Sequence, residues 1–142
     1  MSSIYDELLM DHIKNARNYR VPEAVCRELT GANVLCGDEL TLYLDLRNGR
    51  IEDIAFQCAC CGICMASTSM MTEMVMGRSS VEAAAFARDF IDALGGGGLE
   101  SGTLIGREQQ ALVQLARKLP ARARCAALPW TTLRTGLEQG EA

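Results

Sequence analysis

Seven cysteines in 142 residues concentrate the chemistry of this chain at three places. Leu35-Cys36-Gly37-Asp38 sets a thiol and a carboxylate on either side of a glycine, which permits a tight turn aiming both at one centre. Cys58-Ala-Cys60-Cys61-Gly-Ile-Cys64 gathers four thiols where a strand gives way to a helix. A helix N-terminus presents a positive dipole end that favours thiolate over thiol. Arg122-Ala-Arg124-Cys125 places two guanidinium groups beside a further thiol, with the same electrostatic consequence. A tetrahedral zinc site takes four ligands from Cys, His, Asp or Glu. Iron–sulfur clusters prefer thiolates. Cys36, Asp38, Cys61 and Cys125 satisfy either requirement if the fold gathers distant segments. On spacing alone, a site made entirely from the 58–64 cluster is equally allowed.

The elements that must position these residues read as follows. Ser2-Ser3 caps a first helix whose apolar positions Ile4, Leu8, Leu9 and Ile13 recur at helical spacing, ending near Asn15–Asn18. A less regular stretch with Pro22 reaches Thr30-Gly31. Leu40, Leu42, Leu44 and Leu46 then alternate with Thr41, Tyr43, Asp45 and Arg47 in a half-buried strand. Asn48-Gly49 signals a type I′ hairpin, with Arg50 to Gln57 as the returning strand. Cys64 to Gly77 reads as a helix ending at glycine. Ser79-x-x-Glu82 is a capping box, followed by the stripe Ala83, Phe86, Ala87, Phe90, Ile91 and Leu94. Gly95 to Gly98 breaks that helix. A further helix runs from Glu108 to Leu119 and stops at Pro120. A last helical segment carries Cys125, Leu128, Leu133 and Leu137, and Pro129 is expected to kink or restart it. The order predicts an α+β fold, a small antiparallel sheet with helices packed on one face.

Composition narrows the function classes. The length suits one domain over 1–142. A formal charge of −4 argues against a nucleic-acid partner, which would call for a basic footprint. No apolar run approaches the roughly 18 residues of a membrane span. The opening Met1-Ser-Ser-Ile-Tyr-Asp-Glu has no basic region followed by an apolar one, so a cytoplasmic location is expected. In that compartment cysteine richness points to metal or sulfur chemistry rather than disulfides.

Four motifs in order carry a family resemblance. Asp11-His-Ile-Lys-Asn-Ala-Arg-Asn18 is similar to an N-terminal Asp-His-Tyr-x-Asn-Pro-Arg-Asn signature. Cys36-Gly-Asp38 is similar to a Cys-Gly-Asp motif. Phe56 to Met71 resembles Phe-x-Gly-x-Gly-Cys-x-Ile-x-x-Ala-Ser-x-Ser, aligning its cysteine with Cys61. Leu119-Pro-Ala-Arg-Ala-Arg-Cys125 matches Pro-Ala-Arg-x-Lys-Cys. These are the motifs of the SufU/IscU/NifU-N family of iron–sulfur cluster assembly proteins. Arg124 and the long stretch before Cys125 resemble the SufU branch; IscU-type members have a histidine ligand there.

The resemblance implies a SufE/NifU-like sandwich and a Zn2+ ion held by Cys36, Asp38, Cys61 and Cys125. It implies a cysteine desulfurase (SufS/IscS-like) passing persulfide sulfur to one of the thiols, Cys125 foremost. Arg122 and Arg124 would steer and stabilise the anionic persulfide. Such a protein is a zinc-dependent sulfurtransferase. The alternative within the family is a non-enzymatic scaffold on which a transient [2Fe–2S] cluster forms on Cys36, Cys61 and Cys125. That cluster would pass to recipient apoproteins or cluster carriers. A third reading is a thiol redox module using Cys61 and Cys64.

The chain departs from the family pattern where Cys58 and Cys60 replace two glycines and Cys64 replaces a small residue. These extra thiols suit sulfur acceptors, a redox pair, an alternative metal shell or packing. Cys26 reads as structural. The lone His12 reads as a structural or partner contact, and the methionines at 65, 70, 71, 74 and 76 as adaptable core.

Overall fold

A computed structural model describes residues 4–23, 27–33, 37–94, 113–114, 118 and 122–139. Helix α1 (Ile4–Lys14) is followed by strands β1 (Arg27–Asn33), β2 (Asp38–Arg47) and β3 (Arg50–Ala59). Helices α2 (Gly62–Val75), α3 (Ser80–Leu94) and α4 (Ala123–Gln139) complete the described elements. The strands form one antiparallel sheet in the order β1-β2-β3. The architecture is the expected α+β one, with an additional strand. Arg27–Asn33, read from sequence as irregular, pairs along its whole length with β2 from Arg27↔Leu44 to Asn33↔Asp38.

The β2–β3 register explains the core. Leu42 faces Phe56 and Leu44 faces Ile54, and all four are buried. Helices α2 and α4 pack against the sheet, α3 packs on α4, and α1 packs on α2. Trp130 of α4 is fully buried and stacks at a tilt on Phe90 of α3, 4.6 Å between ring centroids. The turn at Asn48 (φ 54°) and Gly49 (φ 73°) has the two positive φ values of a type I′ hairpin. On the outer side of β3, Phe56 donates its N–H to the Asn18 carbonyl and accepts from the Arg20 N–H. That segment covers part of an edge that would otherwise be open.

The helix ends follow local chemistry. Ser79 Oγ accepts the Glu82 N–H at 3.1 Å while Glu82 Oε1 accepts the Ser79 N–H at 3.3 Å, the reciprocal pair of a capping box. Ser79→Ala is expected to cost about 1 kcal/mol in denaturant unfolding, with unchanged m-value. Helix α4 runs through Pro129 without restarting, contrary to one expectation from the sequence. Pro129 has no N–H to donate to the carbonyl four residues back, so the helix lacks that hydrogen bond. The Gly95–Gly98 break lies outside the described residues, and so does most of the expected 108–119 helix. Val113, Gln114 and Lys118 are helical within it. Among the described residues no helix is long and apolar enough to cross a membrane.

His12 is a structural residue. Its fully buried ring places Nδ1 2.7 Å from Ser69 Oγ, which also accepts the Arg17 N–H at 2.8 Å. Burial, with the nearby Arg17 charge adding to it, lowers the imidazole from its ordinary 6.5 to about 4. Above pH 6.5 the ring is neutral both folded and unfolded and contributes nothing to the pH slope. Below it the unfolded chain takes up a proton that the folded chain refuses until about pH 4, so stability falls with pH across that window. The expected loss between pH 7 and pH 5 is about 2 kcal/mol. His12→Gln should be less stable at pH 7 and lack this part of the slope; a slope equal to the parent's would refute the assignment.

Candidate metal centre

Asp38 begins β2, Cys61 immediately precedes α2, and Cys125 lies in the first turn of α4. One carboxylate oxygen and the two Sγ atoms lie within 4.8 Å of one another. Asp38 is 2% exposed and Cys125 0%, whereas Cys61 is half-buried. Three segments distant in sequence therefore meet at one end of the sheet.

Each donor is placed by a local feature. Gly37 takes φ 73°, a left-handed conformation that turns the chain into β2 at Asp38. Asp38 Oδ1 accepts the Cys61 N–H at 3.0 Å, tying the start of β2 to the start of α2. Cys61 occupies the N-cap position of α2 in an extended conformation (φ −71°, ψ 167°) and makes no side-chain cap hydrogen bond. Its sulfur is left for other chemistry. Cys61 and Cys125 both lie at helix N-termini, whose positive ends suit anionic sulfur.

Helix α4 is seated closely. A Cβ on Gly31 would overlap Thr132 Oγ1, and one on Gly136 would overlap the Leu29 side chain. Ser67 Oγ of α2 donates to the Ala126 carbonyl and accepts the Trp130 Nε1–H at 3.0 Å. These contacts set the distance between Cys125 and Cys61. The buried Asn33 amide stands 4.0 Å from Cys125 Sγ as a weak donor. Sequence reasoning missed Asn33, because its position depends on a strand that was not foreseen.

The donor set fits a metal ion. Asp38 Oδ2 is buried and has no hydrogen-bond partner among the described residues. A desolvated, unsatisfied carboxylate oxygen costs free energy that a cation would recover. Two thiols with one carboxylate are a donor set that zinc accepts. Cys36 and Cys26 lie outside the described residues.

The remaining thiols separate clearly. Cys58 and Cys60 are joined by a disulfide, Cα to Cα 5.4 Å, contrary to the expectation from the sequence that the cysteines serve metal or sulfur chemistry rather than disulfides. Cys64 is fully buried, and its thiol is pushed up to about 12 by burial and then by the charges of Asp38 and Cys61. Cys61 and Cys64, offered by the sequence as a redox pair, are two separate thiols. A site drawn wholly from residues 58–64 is likewise not what the fold assembles. Arg122 and Arg124 are exposed at the start of α4. Met70 and Met71 are core residues, and Met65, Met74 and Met76 pack against the core.

Comparison with known proteins agrees with this geometry. The family model described as NifU-like N terminal domain matches residues 4–137. The zinc-dependent sulfurtransferase SufU of Bacillus subtilis (strain 168) is 33% identical over 142 residues, covering 99% of this chain and 94% of that protein. The iron–sulfur cluster assembly scaffold protein IscU of Thermotoga maritima is 30% identical over 138 residues, covering 96% and 94% respectively. A crystal structure from Fervidobacterium islandicum AW-1, described as a scaffold protein for the SUF system, superposes with a TM-score of 0.84 at 30% identity. It covers 94% of this chain and 96% of that one. With the family model matched along nearly its whole length, the chain belongs to the NifU-like N-terminal domain family.

Proposed function

We propose that this protein accepts persulfide sulfur from a cysteine desulfurase at a zinc–thiolate site made by Cys36, Asp38, Cys61 and Cys125. The observation that carries the reading is the convergence of Asp38, Cys61 and Cys125 within 4.8 Å, with one buried carboxylate oxygen unsatisfied. The full-length similarity to a protein named zinc-dependent sulfurtransferase supports it.

Zinc, when bound, supplies positive charge that keeps the thiols ionised and brings no redox chemistry of its own. Asp38 keeps one oxygen on the Cys61 amide, and its other, unsatisfied oxygen would help hold the metal. The sequence placed first receipt of sulfur on Cys125. Its complete burial instead favours Cys61, the half-buried thiol, as the group an incoming persulfide meets. Cys61 Sγ attacks the outer sulfur of the donor persulfide, a new S–S bond forms, and the donor cysteine leaves as a thiolate. Arg122 and Arg124, both exposed, place positive charge on the approach of that anion. Cluster carriers or recipient apoproteins would take the sulfur onward.

The test is alanine production by a pyridoxal-phosphate cysteine desulfurase with the zinc-loaded, iron-free chain added. A rise of about tenfold or more is expected if sulfur removal from the donor limits turnover. No rise, with binding of the two proteins demonstrated, would overturn it. A second reading, a scaffold for a transient [2Fe–2S] cluster, is supported by the near full-length similarity to a protein named as such a scaffold. It predicts visible-range absorption on anaerobic reconstitution and transfer to an apo-ferredoxin; failure to transfer would exclude it.

A further inference from the structure

Sulfur handed over as a persulfide is formally neutral, whereas a metal sulfide requires it reduced by two electrons. We infer that Cys58 and Cys60 form a built-in dithiol that performs this reduction and releases sulfide beside the site. The inference rests on the sulfur-accepting reading above.

The placement is specific. Cys58 pairs with Leu40 across the sheet, and continuing that register sets Cys60 opposite Asp38. Cys60 is bonded through the backbone to Cys61, with consecutive Cα atoms about 3.8 Å apart, and the outer sulfur of a persulfide on Cys61 would extend one S–S bond beyond its Sγ. Cys58 lies near the end of β3 and Cys60 just beyond it, and their disulfide shows that the two sulfurs reach each other. All three of these cysteines are half-buried, in contrast to the fully buried Cys64 and Cys125. The structure thus presents the oxidised end state of a dithiol adjoining the receiving thiol.

The reaction balances with the reduced pair. The Cys60 thiolate attacks the outer sulfur of the Cys61 persulfide; that S–S bond breaks and its electron pair leaves on Cys61 Sγ. The persulfide now on Cys60 is attacked at its inner sulfur by Cys58, forming the Cys58–Cys60 disulfide and expelling hydrosulfide. One persulfide and two thiols become one thiolate, one disulfide and one hydrogen sulfide. The sulfane sulfur gains the two electrons that the two cysteines lose. A dithiol reductant returns the pair to its starting state.

The test uses the full zinc-loaded chain, reduced with dithiothreitol, freed of it, and then mixed with desulfurase and cysteine. The parent is expected to release about one sulfide per chain, while the peptide bearing residues 58–60 loses about 2 Da. The Cys58→Ser/Cys60→Ser chain should capture sulfur as a gain of about 32 Da, keep its zinc, and release at most about a tenth as much sulfide. Cys58→Ser alone should hold that added mass on Cys60. Equal sulfide release from parent and double variant would overturn the inference while leaving sulfur acceptance standing. A parent that gains about 32 Da and releases nothing would overturn it equally. Absence of captured sulfur on every chain would instead overturn the sulfur-accepting reading, and this inference with it.

Discussion

The Cys125→Ser chain is expected to bind zinc at least about a hundredfold more weakly than the parent, and to lose desulfurase stimulation with it. Changes in groups that only orient metal ligands cost roughly 10- to 100-fold in affinity, so loss of a ligand sulfur should cost no less. Cys125 is fully buried with its sulfur within 4.8 Å of the other two donors. Serine is close in size, so packing around α4 should survive and circular dichroism should change little. Competition against a chromophoric chelator measures the affinity. An affinity equal to the parent's would make Cys125 a packing thiol and remove it from the site. Arg124→Gln provides the contrast, because its exposed guanidinium is proposed to guide the anion rather than hold the metal. It should slow sulfur transfer, most visibly at low ionic strength, and leave zinc affinity unchanged.

Trp130→Ala is expected to cost about 3–5 kcal/mol of unfolding free energy, by removing the largest core side chain and leaving a void beside Phe90. Trp130→Phe keeps most of the apolar contact but deletes the indole donor to Ser67, which should cost about 1 kcal/mol. The alanine chain should also bind zinc less tightly, because Ser67 and Trp130 together hold α4 to α2. Urea unfolding with chelator competition on the same samples separates the two effects. A Trp130→Ala loss below about 1 kcal/mol would show that the core repacks around the gap.

How far the fold could be read in advance varied with the strength of local signals. Asn48-Gly49 dictates its own turn, and Ser79 with Glu82 dictates a helix start, so both appeared where the residues placed them. β1 was illegible. Gly31, Ala32 and Asn33 are poor strand formers, and among its residues only Leu29 is a large apolar side chain. Its conformation is imposed by β2 rather than chosen locally. The site shows the same division. Asp38, Cys61 and Cys125 were legible through motif resemblance, since no periodicity reports that the ends of β2, β3 and α4 converge. Asn33 was hidden with its strand. The Cys58–Cys60 pairing was not legible, because four thiols within seven residues allow several pairings, Cys61 with Cys64 among them. Cysteines two apart on an extended strand stand roughly 6–7 Å apart, and the closing of Cys58 and Cys60 to 5.4 Å where β3 ends has no local sequence signal.

The seat of α4 on β1 has a consequence for how this centre can vary. Where Gly31 and Gly136 lie, neither glycine adds a side chain to the contact: Thr132 and Leu128 of the helix close over Gly31, and Leu29 of the strand closes over Gly136. One added methyl there would act as a shim, overlapping Thr132 Oγ1 or the Leu29 side chain, so that side chain or the helix itself must move. Cys125 rides on that helix, so whatever part of the overlap the helix takes up changes the opening between its sulfur and the other two donors. The spacing of the candidate donors is thus open to adjustment by bulk at this contact, without altering any of the three donors or any charge.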